Sequence, residues 1–154
     1  MMLRWLLAAI HLLALGIGLG AVWARAKALS SPLDRRENLQ RVFLADTLWG
    51  VAGFLWISTG LWRFLGGLEK GTAYYLQNHA FLTKMGLLLL LLVLEVGPIV
   101  TLIRWRRSVA AGSPVDFQAA RRLATISRVQ VWLVVLMVFA ATAMARGLGT
   151  GGSP

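Results

Sequence analysis

The chain has 154 residues, of which 58% are hydrophobic and 14% charged, and it carries a formal net charge of +10. A water-soluble fold would have too little polar surface with this composition, so the chain is predicted to be an integral membrane protein. The absence of cysteine excludes a disulfide, a thiolate nucleophile and cysteine-ligated metal sites.

The positive charge has a distribution typical of membrane topology. Most basic residues lie in two short segments that flank apolar runs. We therefore expect the lipid bilayer as partner, with anionic headgroups at the basic loops, and no nucleic acid.

Four apolar stretches predict membrane-spanning helices at about residues 3–24, 39–65, 73–103 and 123–145. The first stretch resembles a signal peptide, but basic residues follow it, so we interpret it as a helix that stays in the chain. Residues 1–146 are predicted to form one domain, and the Gly-rich residues 147–154 a flexible tail.

The loops predict the topology. The first and third loops are strongly basic and the second is nearly neutral. By the positive-inside rule, both termini lie outside and the basic loops face the cytoplasm. Short connections between four spans predict an all-α, antiparallel four-helix transmembrane bundle.

Two histidines lie at similar predicted depths. His11 follows Trp5 and His79 follows Tyr75, two aromatic residues expected near the same side of the membrane. The helix rise places each histidine about 6 to 9 Å deeper than its aromatic residue. Gly18 and Gly86 follow them by seven residues and would leave space on the same face. This pattern suggests heme b between helices 1 and 3, with both histidines as axial ligands. Alternatively, each histidine bonds a backbone carbonyl or a headgroup.

Lys84 lies on a different face of helix 3 from His79. Its separation from His79 turns it by about 140°, whereas Glu95 lies nearly on the same face as Lys84. Lys84, or Arg63 near the end of helix 2, would hold an anionic group such as a propionate. Both faces of helix 3 cannot line one narrow site.

A second polar group is expected toward the cytoplasmic side. Asp46, Glu95 and Arg128 are predicted to lie within about 15 Å of the inner surface, judged from the helix rise. Their charges suit a compensated network that fixes helix packing. The alternative is a proton or ion relay.

Several short motifs are spread over the chain. They are His11 in a Gly-rich helix, Ala-Asp-Thr-Leu-Trp-Gly (45–50), Gly-Leu-Glu-Lys-Gly-Thr-Ala-Tyr-Tyr (67–75), Lys84-Met85-Gly86 and Thr-Leu-Ile-Arg-Trp-Arg (101–106). With these motifs the chain resembles a bacterial membrane-protein family called domain of unknown function 2214. The resemblance covers nearly the whole length and implies a multi-pass protein of the bacterial cytoplasmic (inner) membrane.

More distantly, the chain is similar to the four-helix, heme-binding protoporphyrinogen oxidase family and to copper-resistance D type membrane proteins. That oxidase family is associated with a histidine in helix 1 and a lysine in helix 3, which would correspond to His11 and Lys84.

Two functions follow as hypotheses. The first is binding of heme b or a related tetrapyrrole between helices 1 and 3, for electron transfer or tetrapyrrole oxidation. The second is a non-enzymatic transport or scaffold protein with an intramembrane Asp/Glu/Arg network. A homo-oligomer is expected because four helices cannot bury every small-residue face.

Overall fold

The computed structural model describes residues 2–65 and 78–146, and most of them lie in four helices. These are α1 (Met2–Leu29), α2 (Arg36–Leu65), α3 (His79–Ala110) and α4 (Ala120–Ala145). All four are long and apolar enough to cross a membrane. The predicted class, an all-α bundle of four transmembrane helices, is confirmed.

The helices extend further than the apolar runs that predicted them. α1 continues to Leu29 and α3 to Ala110, past the predicted ends at 24 and 103. Arginine and lysine are good helix formers and interact favourably with a helix C-terminus, so neither helix needs to end where the apolar run does. The predicted start of helix 3 at 73 and the predicted tail at 147–154 lie outside the described residues.

Local signals set the ends of α3. The Asn78 side chain accepts hydrogen bonds from the backbone N–H groups of Ala80 and Phe81, at 2.9 and 3.2 Å, and so caps the first turn. After α3 the chain turns at Gly112, whose φ of 64° is a conformation that favours glycine.

The two ends of the bundle differ in charge. We call the end with the connections 30–35 and 111–119 the basic end, because most arginines lie near it. The opposite end holds the starts of α1 and α3 and the ends of α2 and α4. These names describe the molecule alone, since the side of the membrane that each end faces is still an expectation.

The helices pack unevenly. α1 packs along both α2 and α4, and α3 packs along α4, whereas the backbones of α2 and α3 approach each other closely at few points in the described ranges. The central core contains Val22, Trp49, Val134 and Met137. Because α2 and α3 are not packed backbone to backbone, side chains and cavities fill the space between them.

The outer surface of the bundle is apolar. Phe54 of α2 and Phe139 of α4 are 71% and 68% exposed. A soluble protein rarely leaves so many large apolar side chains in water, whereas lipid solvates them well. This is the surface of a multi-pass membrane protein.

Candidate functional site

Arg25 is the centre of a hydrogen-bonded network that joins all four helices. Its side chain is fully buried, and its Nη1 and Nη2 form a fork on Glu95 with distances of 2.7 and 2.9 Å. Nη1 also donates to Asp46 at 2.9 Å, Nη2 to Gln130 at 2.8 Å and Nε to Ser127 at 3.1 Å. A guanidinium has five N–H groups, so every donor of Arg25 has an acceptor.

A second arginine completes this network. Arg106 Nη2 donates to Asp46 Oδ2 at 3.0 Å and to the Phe43 carbonyl at 2.9 Å. Gln130 Nε2 donates to Glu95 Oε2 at 2.6 Å. Two arginines and two carboxylates have a formal charge of zero together. We call this group the arginine network; its members are Arg25, Asp46, Glu95, Arg106, Ser127 and Gln130.

The arginine expected from the sequence is not a member. The structure brings Asp46 and Glu95 together, but Arg128 is exposed and donates to Ser30 Oγ at 2.8 Å. Its place is taken by Arg25, which the predicted end of helix 1 at residue 24 had assigned to a loop. A signal was available: Arg25 follows Gly18 by seven residues and therefore lies on the same face of α1.

His11 lies buried toward the opposite end, and Thr59 of α2 holds its ring. The distance from His11 Nδ1 to Thr59 Oγ1 is 3.0 Å. The Thr59 hydroxyl is also 2.6 Å from the Leu55 carbonyl, which can only accept. Since a hydroxyl has one proton, Thr59 donates to Leu55 and accepts from His11. This arrangement places a proton on Nδ1, so in the neutral ring the lone pair lies on Nε2.

Two further residues fix the His11 ring. A Cβ added at Gly60 would lie 3.0 Å from His11 Cε1, so a side chain there would press on the ring. The Trp56 ring lies 5.8 Å from the His11 ring, centroid to centroid. Trp56 is 8% exposed, and its indole N–H has no hydrogen-bond partner among the residues that the structure describes. A buried donor of this kind is usually satisfied by an ordered water, an ion or a ligand.

Two adjacent cavities surround His11, and we call them together the histidine pocket. The first, of about 330 Å³, extends between α1 and α4 and is also lined by Arg63. The second, of about 360 Å³, lies between α2 and α3 and includes Phe64 and Phe81, whose rings stack at 5.3 Å. His11, Trp56 and Lys84 line both cavities. Such volumes are in the usual range for small-molecule sites.

The phase of α3 decides which of its polar residues face the bundle. Lys84 is half-buried and Glu95 buried, whereas His79 and Gly86 are exposed. His79 lines neither cavity of the histidine pocket. The face of Lys84 and Glu95 therefore points inward, and the face of His79 and Gly86 points outward.

The two glycines do not provide the expected space for a heme plane. The position beside Gly18 is filled by the Trp49 ring, 3.5 Å from where a Cβ would be. Gly86 has nothing within 4 Å, but it lies on the outward face of α3. The structure therefore does not bring His11 and His79 together as an axial pair. The described residues also contain no group of three or more His, Asp or Glu side chains that could hold a metal ion.

Comparison with known proteins gives a family without an activity. A family model described as "Predicted membrane protein (DUF2214)" matches residues 3–149, nearly the whole chain. No curated protein and no solved structure matches the chain.

Proposed function

This chain belongs to the DUF2214 family of predicted membrane proteins, and from its geometry we propose that it binds an anionic, amphipathic ligand in the histidine pocket. The ligand that fits the chemistry best is heme b or a related tetrapyrrole. His11 would bind its metal.

The observation that carries this proposal is the orientation of His11. Metal-binding histidines usually donate their second ring N–H to a fixed acceptor, which sets the tautomer and the ring orientation. Thr59 Oγ1 is such an acceptor for Nδ1, at 3.0 Å. In the neutral ring the lone pair is then on Nε2, the nitrogen that would bind a metal, and His11 lines both cavities of the pocket.

The remaining polar groups of the pocket suit carboxylates. Lys84 lines both cavities and Arg63 lines the first. The buried Trp56 N–H adds a donor. The other lining residues are largely apolar, such as Leu88 and Met137, and would enclose the body of an amphipathic molecule. A macrocycle with propionate groups has both an apolar body and carboxylates.

The proposal differs from a bis-histidine cytochrome. Two axial histidines favour electron transfer, but His79 is exposed and lines neither cavity. The residues present fit a tetrapyrrole held by one histidine. Heme, when bound, would supply redox chemistry, while His11 would bind its metal and Lys84 and Arg63 would hold its carboxylates.

The test is the absorbance spectrum of the protein purified from heme-supplied cells. We expect a Soret band, with heme affinity lowered at least about tenfold in Lys84→Met, which removes the cation that lines both cavities of the pocket. Lys27→Met is the matched control, because Lys27 lies near the basic end and lines neither cavity. A wild-type protein that takes up no heme, in cells or by titration, would overturn the tetrapyrrole assignment.

A scaffold role for the arginine network is a second proposal, carried by a separate observation. All five N–H groups of Arg25 are bonded within the network. Buried charges that are fully paired in this way tie helices together. We expect substitutions in the network to lower the melting temperature of the protein and to leave proton flux in liposomes unchanged.

A further inference from the structure

We propose that a second site, between α1 and α4 at the basic end, binds the phosphate headgroup of an anionic phospholipid. The site is a surface cavity of about 410 Å³. We call it the headgroup site. It is lined by Trp23, Ala26, Lys27, Ser30, Arg128, Val131 and Trp132.

Two cations are held in this site. Arg128 Nη2 donates to Ser30 Oγ at 2.8 Å, and the Ser30 hydroxyl donates to the Ala26 carbonyl at 2.9 Å. The Lys27 ammonium lies 5.5 Å from the centre of the Trp23 ring, a cation–π distance. Both positive groups are thus oriented by neutral partners.

The headgroup site has no acidic counterpart in the described part of the chain. The carboxylates that form ion pairs there are Asp46 and Glu95, and both are bound within the arginine network. Neither Lys27 nor Arg128 forms an ion pair with a carboxylate of the described residues. A phosphate would therefore meet two cations and no competing carboxylate, and the amine of a zwitterionic headgroup would find no acceptor charge.

The walls of the site point to a lipid rather than a soluble phosphate. Trp23 and Trp132, which line the site together with the two cations, are 58% and 68% exposed. Tryptophan is enriched at the membrane interface, where its ring lies at the level of the headgroups. Val131 completes an apolar wall. In a phospholipid the phosphate lies next to the start of the acyl chains. Cations beside exposed indole rings would contact these two parts of the lipid.

The headgroup site is independent of the histidine pocket, which lies toward the opposite end of the bundle. By the positive-inside rule, the basic end meets the cytoplasmic leaflet, which contains the anionic lipids that attract juxtamembrane cations. The proposal therefore names both a lipid class, anionic glycerophospholipids, and the two residues that recognise it.

The experiment counts lipids on the purified protein by native mass spectrometry, with phosphatidylglycerol and phosphatidylcholine titrated in turn. We expect one phosphatidylglycerol to be retained in preference to phosphatidylcholine. Lys27→Gln and Arg128→Gln should each weaken its binding about fivefold, the effect of one cation near an anionic surface. Because both side chains are exposed, we expect these variants to fold.

Arg122→Gln is the matched control, since it removes the same charge from an exposed position on the same helix, outside the site. Arg122→Gln should bind phosphatidylglycerol as tightly as the wild type does. If Arg122→Gln and Arg128→Gln weakened phosphatidylglycerol binding equally, the effect would come from the overall charge of the basic end, and the proposed site would be wrong. Equal retention of the two lipids would also overturn it. Displacement of the lipid by inorganic phosphate would show a soluble-phosphate site instead of a lipid site.

Discussion

Arg25 and Glu95 form a two-bond ion pair inside the bundle, with Nη1–Oε1 and Nη2–Oε2 distances of 2.7 and 2.9 Å. The pair joins α1 to α3, two helices that are far apart along the chain. Bidentate arginine–carboxylate pairs are among the strongest polar contacts in proteins, and they fix geometry as well as charge. The first predictions concern this contact.

Replacement of Arg25 should strongly destabilise the fold. Arg25→Met leaves Glu95 buried without its cation, so we expect a loss of about 3–5 kcal/mol in the free energy of unfolding. Denaturant unfolding in mixed micelles would measure it. Arg128→Gln, at the exposed arginine, should change this free energy by no more than about 0.5 kcal/mol.

A double variant separates the pair from general damage to the core. Arg25→Met with Glu95→Met removes both charges and leaves Asp46 paired with Arg106, 3.0 Å away. We expect the double variant to be more stable than Arg25→Met alone, because no unpaired buried charge remains. If the double variant lost the sum of the unfolding free energies that Arg25→Met and Glu95→Met lose separately, the ion pair would not be the source of the destabilisation.

Glu95 also distinguishes a scaffold from a proton relay. Glu95→Gln removes the negative charge of the carboxylate that Arg25 binds. Because hydrogen bonds to charged groups contribute about 1.5–3 kcal/mol each, the contact between the two residues becomes weaker. We expect a lower melting temperature and no change in the decay of a pH gradient across liposomes that contain the protein. Proton flux that requires Glu95 would contradict the scaffold role.

The sequence predicts the fold well and the polar contacts only in part. Helix number and class follow from hydropathy, because a membrane-spanning helix needs a long apolar run and little else. The helix ends were harder to predict, because α1 and α3 continue beyond the apolar run that crosses the hydrocarbon. That difference placed Arg25 in a loop and left Arg128 as the expected partner of Asp46 and Glu95.

Helical phase predicted more about the sites than residue type did. The shared face of Lys84 and Glu95 is visible in their spacing, and the structure turns that face inward. The pairing of His11 with His79 was predicted from their similar depth and from the glycine seven residues after each. Neither feature specifies whether a helix face points toward the bundle. Thr59 could not be found from its position in the sequence, because its partner His11 is 48 residues away.

Gly60 should be intolerant of a side chain. Gly60→Ala places a Cβ about 3.0 Å from His11 Cε1, so the ring must move from Thr59. We expect a loss of about 1–3 kcal/mol in unfolding free energy, as for other overpacked sites, together with weaker heme binding. Gly50→Ala, on the same helix with nothing within 4 Å, should show neither effect. Equal behaviour of the two variants would contradict the packing described for the His11 ring.

The tautomer of His11 can be read directly. ¹⁵N NMR of the ligand-free protein should show a proton on Nδ1 of His11, because Thr59 Oγ1 accepts that proton. Thr59→Val removes the acceptor and should lower metal affinity by about 10–100-fold. Thr59→Ser keeps the hydroxyl and should behave as the wild type. A wild-type spectrum with the proton on Nε2 would remove the basis of the assignment.

The most direct test of the histidine pocket compares the two histidines in one heme titration followed by absorbance. His11→Gln should lose the Soret band of the bound heme, whereas His79→Gln should keep it, because His79 is exposed and lines neither cavity. Melting temperatures of both variants would establish that they are folded. Retention of the band in folded His11→Gln, or its loss in His79→Gln, would contradict the account.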